Sequence, residues 1–219
     1  ADGNLLLGPT AERVETPDNT ETTAGGLKTV AELAKKSVPI VNTRAVITSF
    51  SGVRASEKNG DFIIKESEKV KGLIHAAAID SPGLSSSAAI AEYIVKLLEK
   101  SGLELTENPD FNGTREDTHA FKKMSDEEKD EYIKQNPAYG RIICRCETVS
   151  EGEIIDALRR NPKATDIDGV KRRTRAGMGR CQGGFCMPYV MRLIEKEMGK
   201  PMTEITKKGG KSNTVTGRL

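Results

Sequence analysis

Four cysteines in two tight pairs are the residues of this chain best suited to chemistry. Residues 144–146 read Cys-Arg-Cys, residues 181–186 read Cys-Gln-Gly-Gly-Phe-Cys, and the chain has no other cysteine. Four thiolates so grouped suit an iron–sulfur site, a [2Fe–2S] cluster first among them, ligated by Cys144, Cys146, Cys181 and Cys186. Cys144 and Cys146, one residue apart, are expected to be able to share one iron. Gly183-Gly184 lets the backbone fold closely round an inorganic core and turn amide N–H groups toward its sulfurs. Such a cluster is anionic, so helix N-termini and nearby cations favour it. A helix is predicted after each pair, and Lys171, Arg172, Arg173 and Arg175 precede Cys181. That basic run reads equally as the solvated face of a helix.

Other readings of the cysteines stay open. A structural zinc site uses the same four thiolates, although its paired cysteines are more often two residues apart. Two disulfides are a second alternative, disfavoured by Cys-x-Cys geometry and by the reducing compartment assigned below. Four unrelated buried cysteines are a third.

The elements that must position the pairs follow from hydrophobic periodicity. Ser150 caps a predicted helix over 151–160 with Ile154, Ile155 and Leu158 on one face. A second is predicted over 166–175, and a third over 187–198 on Val190, Leu193 and Ile194. The tail from Lys207 is rich in Lys, Gly, Ser and Thr and reads as flexible. Residues 106–140 read as a linker holding one short helix, begun by Ser125 with Glu128 as a capping box.

Upstream, residues 4–8 read as a strand, 25–37 as a helix and 45–55 as a β-branched strand. Asn59-Gly60 predicts a turn into a returning strand at 61–65. The apolar run Leu73–Ile79 predicts a strand buried on both faces. Ser81-Pro82-Gly83 then leads into a helix over 84–100, with Ile90, Ile94, Leu97 and Leu98 as its inner stripe. A helix N-terminus at the end of a strand suits a phosphate or a polarised oxygen, and suits an ordinary capped connection as well. His75 reads as a packed strand histidine rather than a base. Arg54, after Gly52-Val53, offers a planar fork for a carboxylate or phosphate. A solvated surface ion pair is the alternative.

The 219 residues allow two small domains, placed at 1–105 and 141–203 around the linker, with 204–219 as the flexible tail. Charged residues make up 30% but the net charge is only +2, which gives no reason to expect nucleic acid as a partner. No apolar run approaches a membrane span, and the N-terminal residues show no secretion signal. A cytoplasmic location is expected, with attachment at the inner membrane face left to a partner. The chain opens Ala1-Asp2-Gly3-Asn4 and runs at once into Leu5-Leu6-Leu7, so it is expected to be the downstream part of something longer.

Residues 141–198 resemble the [2Fe–2S] domain of the bacterioferritin-associated-ferredoxin type. The likeness is carried by Ile143-Cys144-Arg145-Cys146-Glu147 and by Arg173-Thr174-Arg175-Ala176-Gly177-Met178-Gly179-Arg180-Cys181-Gln182-Gly183-Gly184-Phe185-Cys186. It is closest to the version fused to FAD-dependent glycerol-3-phosphate dehydrogenases of the anaerobic type, and it implies an all-helical fold with the cluster near the surface. Residues 1–100 resemble the D-amino-acid-oxidase-like flavoprotein fold. Here the likeness lies in Asn4-Leu5-Leu6-Leu7-Gly8-Pro9-Thr10, Ser51-Gly52-Val53-Arg54, Gly60-Asp61-Phe62-Ile63-Ile64 and Ile79-Asp80-Ser81-Pro82-Gly83-Leu84.

This second resemblance implies that Ser81, Gly83, Leu84 and Ser85 contact the flavin and that Arg54 meets a small anionic substrate. The family commonly has Gly where this chain has Ala78. The Gly-x-Gly-x-x-Gly fingerprint for the FAD pyrophosphate is absent, since Gly177-Met178-Gly179 belongs to the cysteine loop. FAD is therefore expected to be shared with a missing N-terminal half or a partner subunit, and the chain alone is not expected to be active. The fold class expected is α+β: a mixed-sheet partial flavoprotein domain followed by a small all-α [2Fe–2S] domain. Together the resemblances imply part of an FAD-dependent dehydrogenase that passes electrons through the cluster to an acceptor protein or a quinone. The alternative is a ferredoxin-like electron-transfer or redox-sensing subunit that docks on a separate flavoprotein.

Overall fold

The computed structural model describes residues 3–58, 60–114 and 121–217. The chain divides into two units, Ala1–Thr114 and Arg115–Leu219. The boundary falls inside the expected linker, and the described residues from Phe121 onward fold with the second unit. Both units carry helices with short strands, so the α+β class holds. The sheets are two antiparallel ribbons, where a mixed sheet and an all-α second domain were expected.

In the first unit α1 (Ala24–Ser37) starts at Thr23, whose Oγ1 accepts from the N–H of Gly26 at 3.0 Å. β1 (Ile63–Glu66) pairs antiparallel with β2 (Ile74–Ala77), Ile63 opposite Ala77 and Glu66 opposite Ile74. The predicted hairpin across Asn59-Gly60 is not the one formed. Asn59 lies outside the described residues, and residues 46–57 carry no strand. β-branched residues favour extended backbone, but only a paired ladder makes a strand of it, and β1 finds its ladder on β2. Residues 4–8 are likewise unpaired.

α2 (Gly83–Lys100) follows, and Gly83 is the one buried residue in the unit's helices and strands. β2 was predicted to be buried on both faces, yet Ile74 and His75 are half-buried and Ala76 and Ala77 exposed. A two-stranded ribbon with α2 beside it has no second layer to cover its other face. Ile90, Ile94, Leu97 and Leu98 are half-buried, as the inner stripe of α2 requires.

The second unit has a true core. α3 (Asp126–Gln135) begins with the predicted capping box between Ser125 and Glu128. A short 3-10 turn at Pro137–Gly140 leads to β3 (Ile142–Cys144), which pairs with β4 (Val149–Ser150) across a bulge. α4 (Glu151–Arg159) has its own capping box, Ser150 with Glu153. α5 (Ile167–Thr174) starts at Asp166, and α6 (Met187–Met198) ends at Gly199 in the left-handed region at φ 65. Ile154, Val170 and Ile194 are fully buried between these three helices. Tyr139 is 2% exposed and gives its hydroxyl to Asp156 of α4, which fastens the α3 segment to the unit. Burial and the Asp156 carboxylate raise the Tyr139 phenol well above its ordinary range.

The described part of the tail expected to be flexible makes fixed contacts. Ile205 is 2% exposed, and the carbonyls of Thr206 and Lys207 accept from the N–H groups of Ile167 and Asp168 at 3.2 and 2.8 Å. Those two N–H groups open α5 and have no partner within it, so the tail supplies what the first turn lacks. The Lys207 ammonium donates to both Asp168 oxygens at 2.9 Å.

Arg159 of α4 grips Glu197 of α6 through two hydrogen bonds of 2.6 and 2.9 Å. The guanidinium holds the Glu197 carboxyl below its ordinary range, and the carboxylate raises Arg159. A depressed carboxyl stabilises the fold above its unfolded pKa and ceases to do so as pH falls through its folded pKa. Glu197→Gln is therefore expected to lower the melting temperature at pH 7 by a small amount, because the Arg159 partner is solvated. The difference from wild type should close in thermal melts taken from pH 5 downward. A difference that persisted at pH 2 would show that the pair's charge is not what Glu197 contributes.

Candidate metal centre

Two short loops carry the cysteines. The first is the connection from β3 to β4, with Cys144 at the end of β3 and Thr148 forced to φ 54. The second runs from the C-terminus of α5 to the start of α6. Its backbone turns through Arg175, Gly177, Gln182 and Gly183, all at positive φ, and Cys186 is the residue on which α6 begins. Gln182 stiffens this loop: its side-chain amide donates to the carbonyls of Met178 and Gly179 at 3.1 and 3.0 Å.

The sulfurs meet across the sequence gap. Cys146 Sγ lies 3.7 Å from Cys181 Sγ, and Cys186 has Cys144 as its hydrogen-bonding and electrostatic neighbour. One sulfur of each sequence pair thus meets one of the other across the gap. Cys144 is held in by the ribbon, while Cys146 lies beyond the strand end in the turn. The result is a buried side and an open one: Cys144 and Cys186 are 1% and 2% exposed, Cys146 is exposed and Cys181 half-buried. All four are free thiols, so the alternative of two disulfides is not the one formed.

The electrostatics of the two sides differ. The Cys181 thiol is held below its ordinary pKa, first by the backbone N–H of Phe185, then by Cys146, with the N–H groups of Gly183 and Gly184 adding. Burial pushes the Cys186 thiol up to about 12, and Cys144 beside it adds to the rise. A thiol ringed by three amide donors is prepared to be a thiolate. Two buried thiols in contact call for a cation between them.

Residues outside the cysteines were not anticipated. Glu147 is 8% exposed and accepts from Arg175 Nε at 2.8 Å, tying the first loop to the second. Gly179 lies against Cys146: a Cβ there would sit 2.2 Å from the Cys146 Cβ. The sequence shows the acid, the arginine and the glycine, but only the fold reveals that they touch. The basic run before Cys181 is half to fully exposed, apart from this use of Arg175.

The donor set fits a two-iron cluster. Four thiols stand two and two, and amide N–H groups reach the sulfur of the more open pair.

The residues expected at a flavin and a substrate are in the first unit. Arg54 is exposed outside any helix or strand, and Ser81, Leu84 and Ser85 are exposed around buried Gly83. Ser85 gives its hydroxyl back to the Pro82 carbonyl at 2.9 Å. No side chain caps α2, and a Cβ on Gly83 would lie 2.4 Å from Ile79 Cγ2. The Gly83 N–H donates to the Asp80 carbonyl, and the uncapped first turn beyond it leaves amide donors that suit an anionic or polarised group. Ala78 sits at φ 53, a conformation that glycine adopts without cost. This is a physical reason for glycine to be common there in related chains.

Comparison with known proteins adds the family. Residues 142–196 match the BFD-like [2Fe-2S] binding domain, and residues 1–97 match the FAD dependent oxidoreductase family. The chain joins a segment matching each of the two families. A glycerol 3-phosphate dehydrogenase of Caloramator mitchellensis is 44% identical over 98% of this chain, which spans 45% of that protein. An anaerobic glycerol-3-phosphate dehydrogenase subunit A1 of Haloferax volcanii is 29% identical over 83% of the chain and 36% of its own length. A glycerol 3-phosphate oxidase of Mycoplasma genitalium is 34% identical over 51% of the chain and 30% of its own length. The chain thus spans less than half of each of these relatives. No solved structure matches. The cofactors of the two matched families are FAD and a [2Fe–2S] cluster.

Proposed function

We propose that the chain is part of an FAD-dependent glycerol-3-phosphate dehydrogenase whose electrons leave through the [2Fe–2S] domain. The observation that carries this reading is the 44% identity to a glycerol 3-phosphate dehydrogenase across 98% of the chain, both segments included. When bound, FAD takes two electrons from the substrate alcohol and the cluster hands them on singly. This chain's residues bind and orient. Arg54 receives the substrate phosphate on its guanidinium fork. The first turn of α2 turns the amides of Leu84 and Ser85 to the flavin, with Ser81 and Gly83, whose own N–H donates to the Asp80 carbonyl, in the approach. Cys144, Cys146, Cys181 and Cys186 hold the cluster, and the amides of Gly183, Gly184 and Phe185 meet the sulfur of Cys181. The flavin is held jointly with the rest of the dehydrogenase. The acceptor is a protein or a quinone reached through a partner subunit, on the cytoplasmic side. No helix of the described residues is long and apolar enough to cross a membrane.

The test uses the full-length dehydrogenase under anaerobic conditions. Glycerol 3-phosphate is expected to bleach the flavin absorbance and then produce the EPR signal of a reduced [2Fe–2S] centre. Arg54→Met should raise KM on the order of a hundredfold, the loss of about 3 kcal/mol expected when a charged hydrogen bond is removed. A protein that holds flavin and cluster but ignores glycerol 3-phosphate would overturn the substrate. An Arg54→Met enzyme with unchanged KM would remove that residue from the site.

A further inference from the structure

The four thiols are not equally accessible, and what surrounds the open pair has a character of its own. Arg145 lies between Cys144 and Cys146 in the sequence, and Arg180 directly precedes Cys181. Both are exposed, and neither has an ion-pair partner among the described residues. The one acid beside them, Glu147, is turned inward and neutralised by Arg175. Phe185, on the loop whose amides meet Cys181, is 82% exposed. One turn on, Tyr189 has the guanidinium groups of Arg141 and Arg192 at 5.9 and 5.7 Å from its ring. Glu151 balances Arg141 at 2.9 Å, while Arg192 is exposed. The large apolar side chains left exposed in the described part of this unit are Ile142, Phe185 and Tyr189, all at this end. Arginine and aromatic residues are the types enriched at protein interfaces, and an unbalanced positive rim selects the charge of the partner.

We propose that this face, centred on Phe185 and rimmed by Arg145, Arg180 and Arg192, docks an acidic protein that accepts one electron from the cluster. The proposal rests on the electron-transfer function above and names the chemistry of the acceptor. The buried side of the site, Cys144 and Cys186, is closed off by the core, so a protein acceptor approaches over Cys146 and Cys181. The step is a single electron transfer: the reduced cluster loses one electron, the acceptor gains one, and no bond or proton moves. A membrane surface is the less suitable occupant. Two separate rings do not form the continuous apolar face that inserts into a bilayer.

Full-length protein carrying both cofactors is reduced with dithionite, freed of excess reductant and mixed with two probe acceptors of opposite charge. These are an acidic plastocyanin and a basic cytochrome c, each taking one electron. At low salt, plastocyanin is expected to oxidise the cluster at least tenfold faster than cytochrome c, with the advantage fading toward 0.5 M salt (about a 4–5 Å Debye length). The Arg145→Glu/Arg180→Glu double variant should reverse that order with its iron content unchanged. Phe185→Ser should weaken the equilibrium complex with oxidised plastocyanin several-fold, read by titration calorimetry without turnover. Equal rates for both probes, or an order that the double variant leaves in place, overturns the proposal. So does loss of binding to vesicles of anionic phospholipid in that variant, which would assign the face to a membrane. If the double variant slows reduction of the cluster by glycerol 3-phosphate and leaves the probes untouched, the face is covered by the rest of the dehydrogenase and the proposal fails. If glycerol 3-phosphate does not reduce the cluster at all, the function proposed above fails, and the dithionite experiment still decides the docking face.

Discussion

Gly179→Ala is expected to strip the protein of its cluster while leaving every ligand thiol in place. The added Cβ would lie 2.2 Å from the Cys146 Cβ and 3.4 Å from both the Cys146 Sγ and a Glu147 carboxylate oxygen. None of these can easily give way. Cys146 is fixed by its partner Cys181 at 3.7 Å, and Glu147 by Arg175 at 2.8 Å. Overpacking of this kind costs about 1–3 kcal/mol. If the strain falls on the loaded state, cluster occupancy drops roughly 10–100-fold at limiting iron and sulfide. Iron and acid-labile sulfide per chain, with the EPR signal on reduction, measure it directly. Gly217→Ala is the control, since a Cβ there meets nothing within 4 Å. Full loading of the Gly179→Ala protein would show that the two loops are not held as closely as described.

Gly152→Ala is expected to destabilise the second unit. Its Cβ would lie 2.3–2.7 Å from three ring atoms of Tyr139. That ring is 2% exposed, stands edge-on to Tyr132 with centroids 4.9 Å apart, and is anchored by its hydroxyl on Asp156. Alanine is otherwise the better helix former by about 1 kcal/mol, so a gain in stability would be expected if packing did not matter. The collision reverses the sign, and a net loss of up to about 2 kcal/mol is expected, read as a shift of the urea midpoint with little change in slope. Tyr139→Phe/Gly152→Ala should recover little, because the ring rather than the hydroxyl is in the way. A stabilised Gly152→Ala protein would refute the packing of the α3 segment on α4.

What was legible in the sequence was local. The capping boxes of Ser125 with Glu128 and Ser150 with Glu153 join residues three apart, so one stretch of chain contains the whole interaction. The spans of α2 and α6 were legible through the helical periodicity of their apolar residues. The predicted strand at 45–55 failed because a strand is defined by a partner, and its residue types say nothing about whether one is present. The tail was misread because its polar composition hides Ile205 and two backbone carbonyls that α5 needs.

For the site itself, residue type and spacing alone singled out the four cysteines and the glycines that make their loop foldable, because thiols are few and their clustering is visible in one dimension. Resemblance added the flavoprotein segment. Only the tertiary structure decided that Cys146 meets Cys181 and Cys186 meets Cys144, that one pair is buried and the other open, and that Glu147 and Arg175 join the loops. Contacts between residues some thirty positions apart depend on how β3, β4, α5 and α6 surround a shared core, and no periodicity or local propensity encodes that distance.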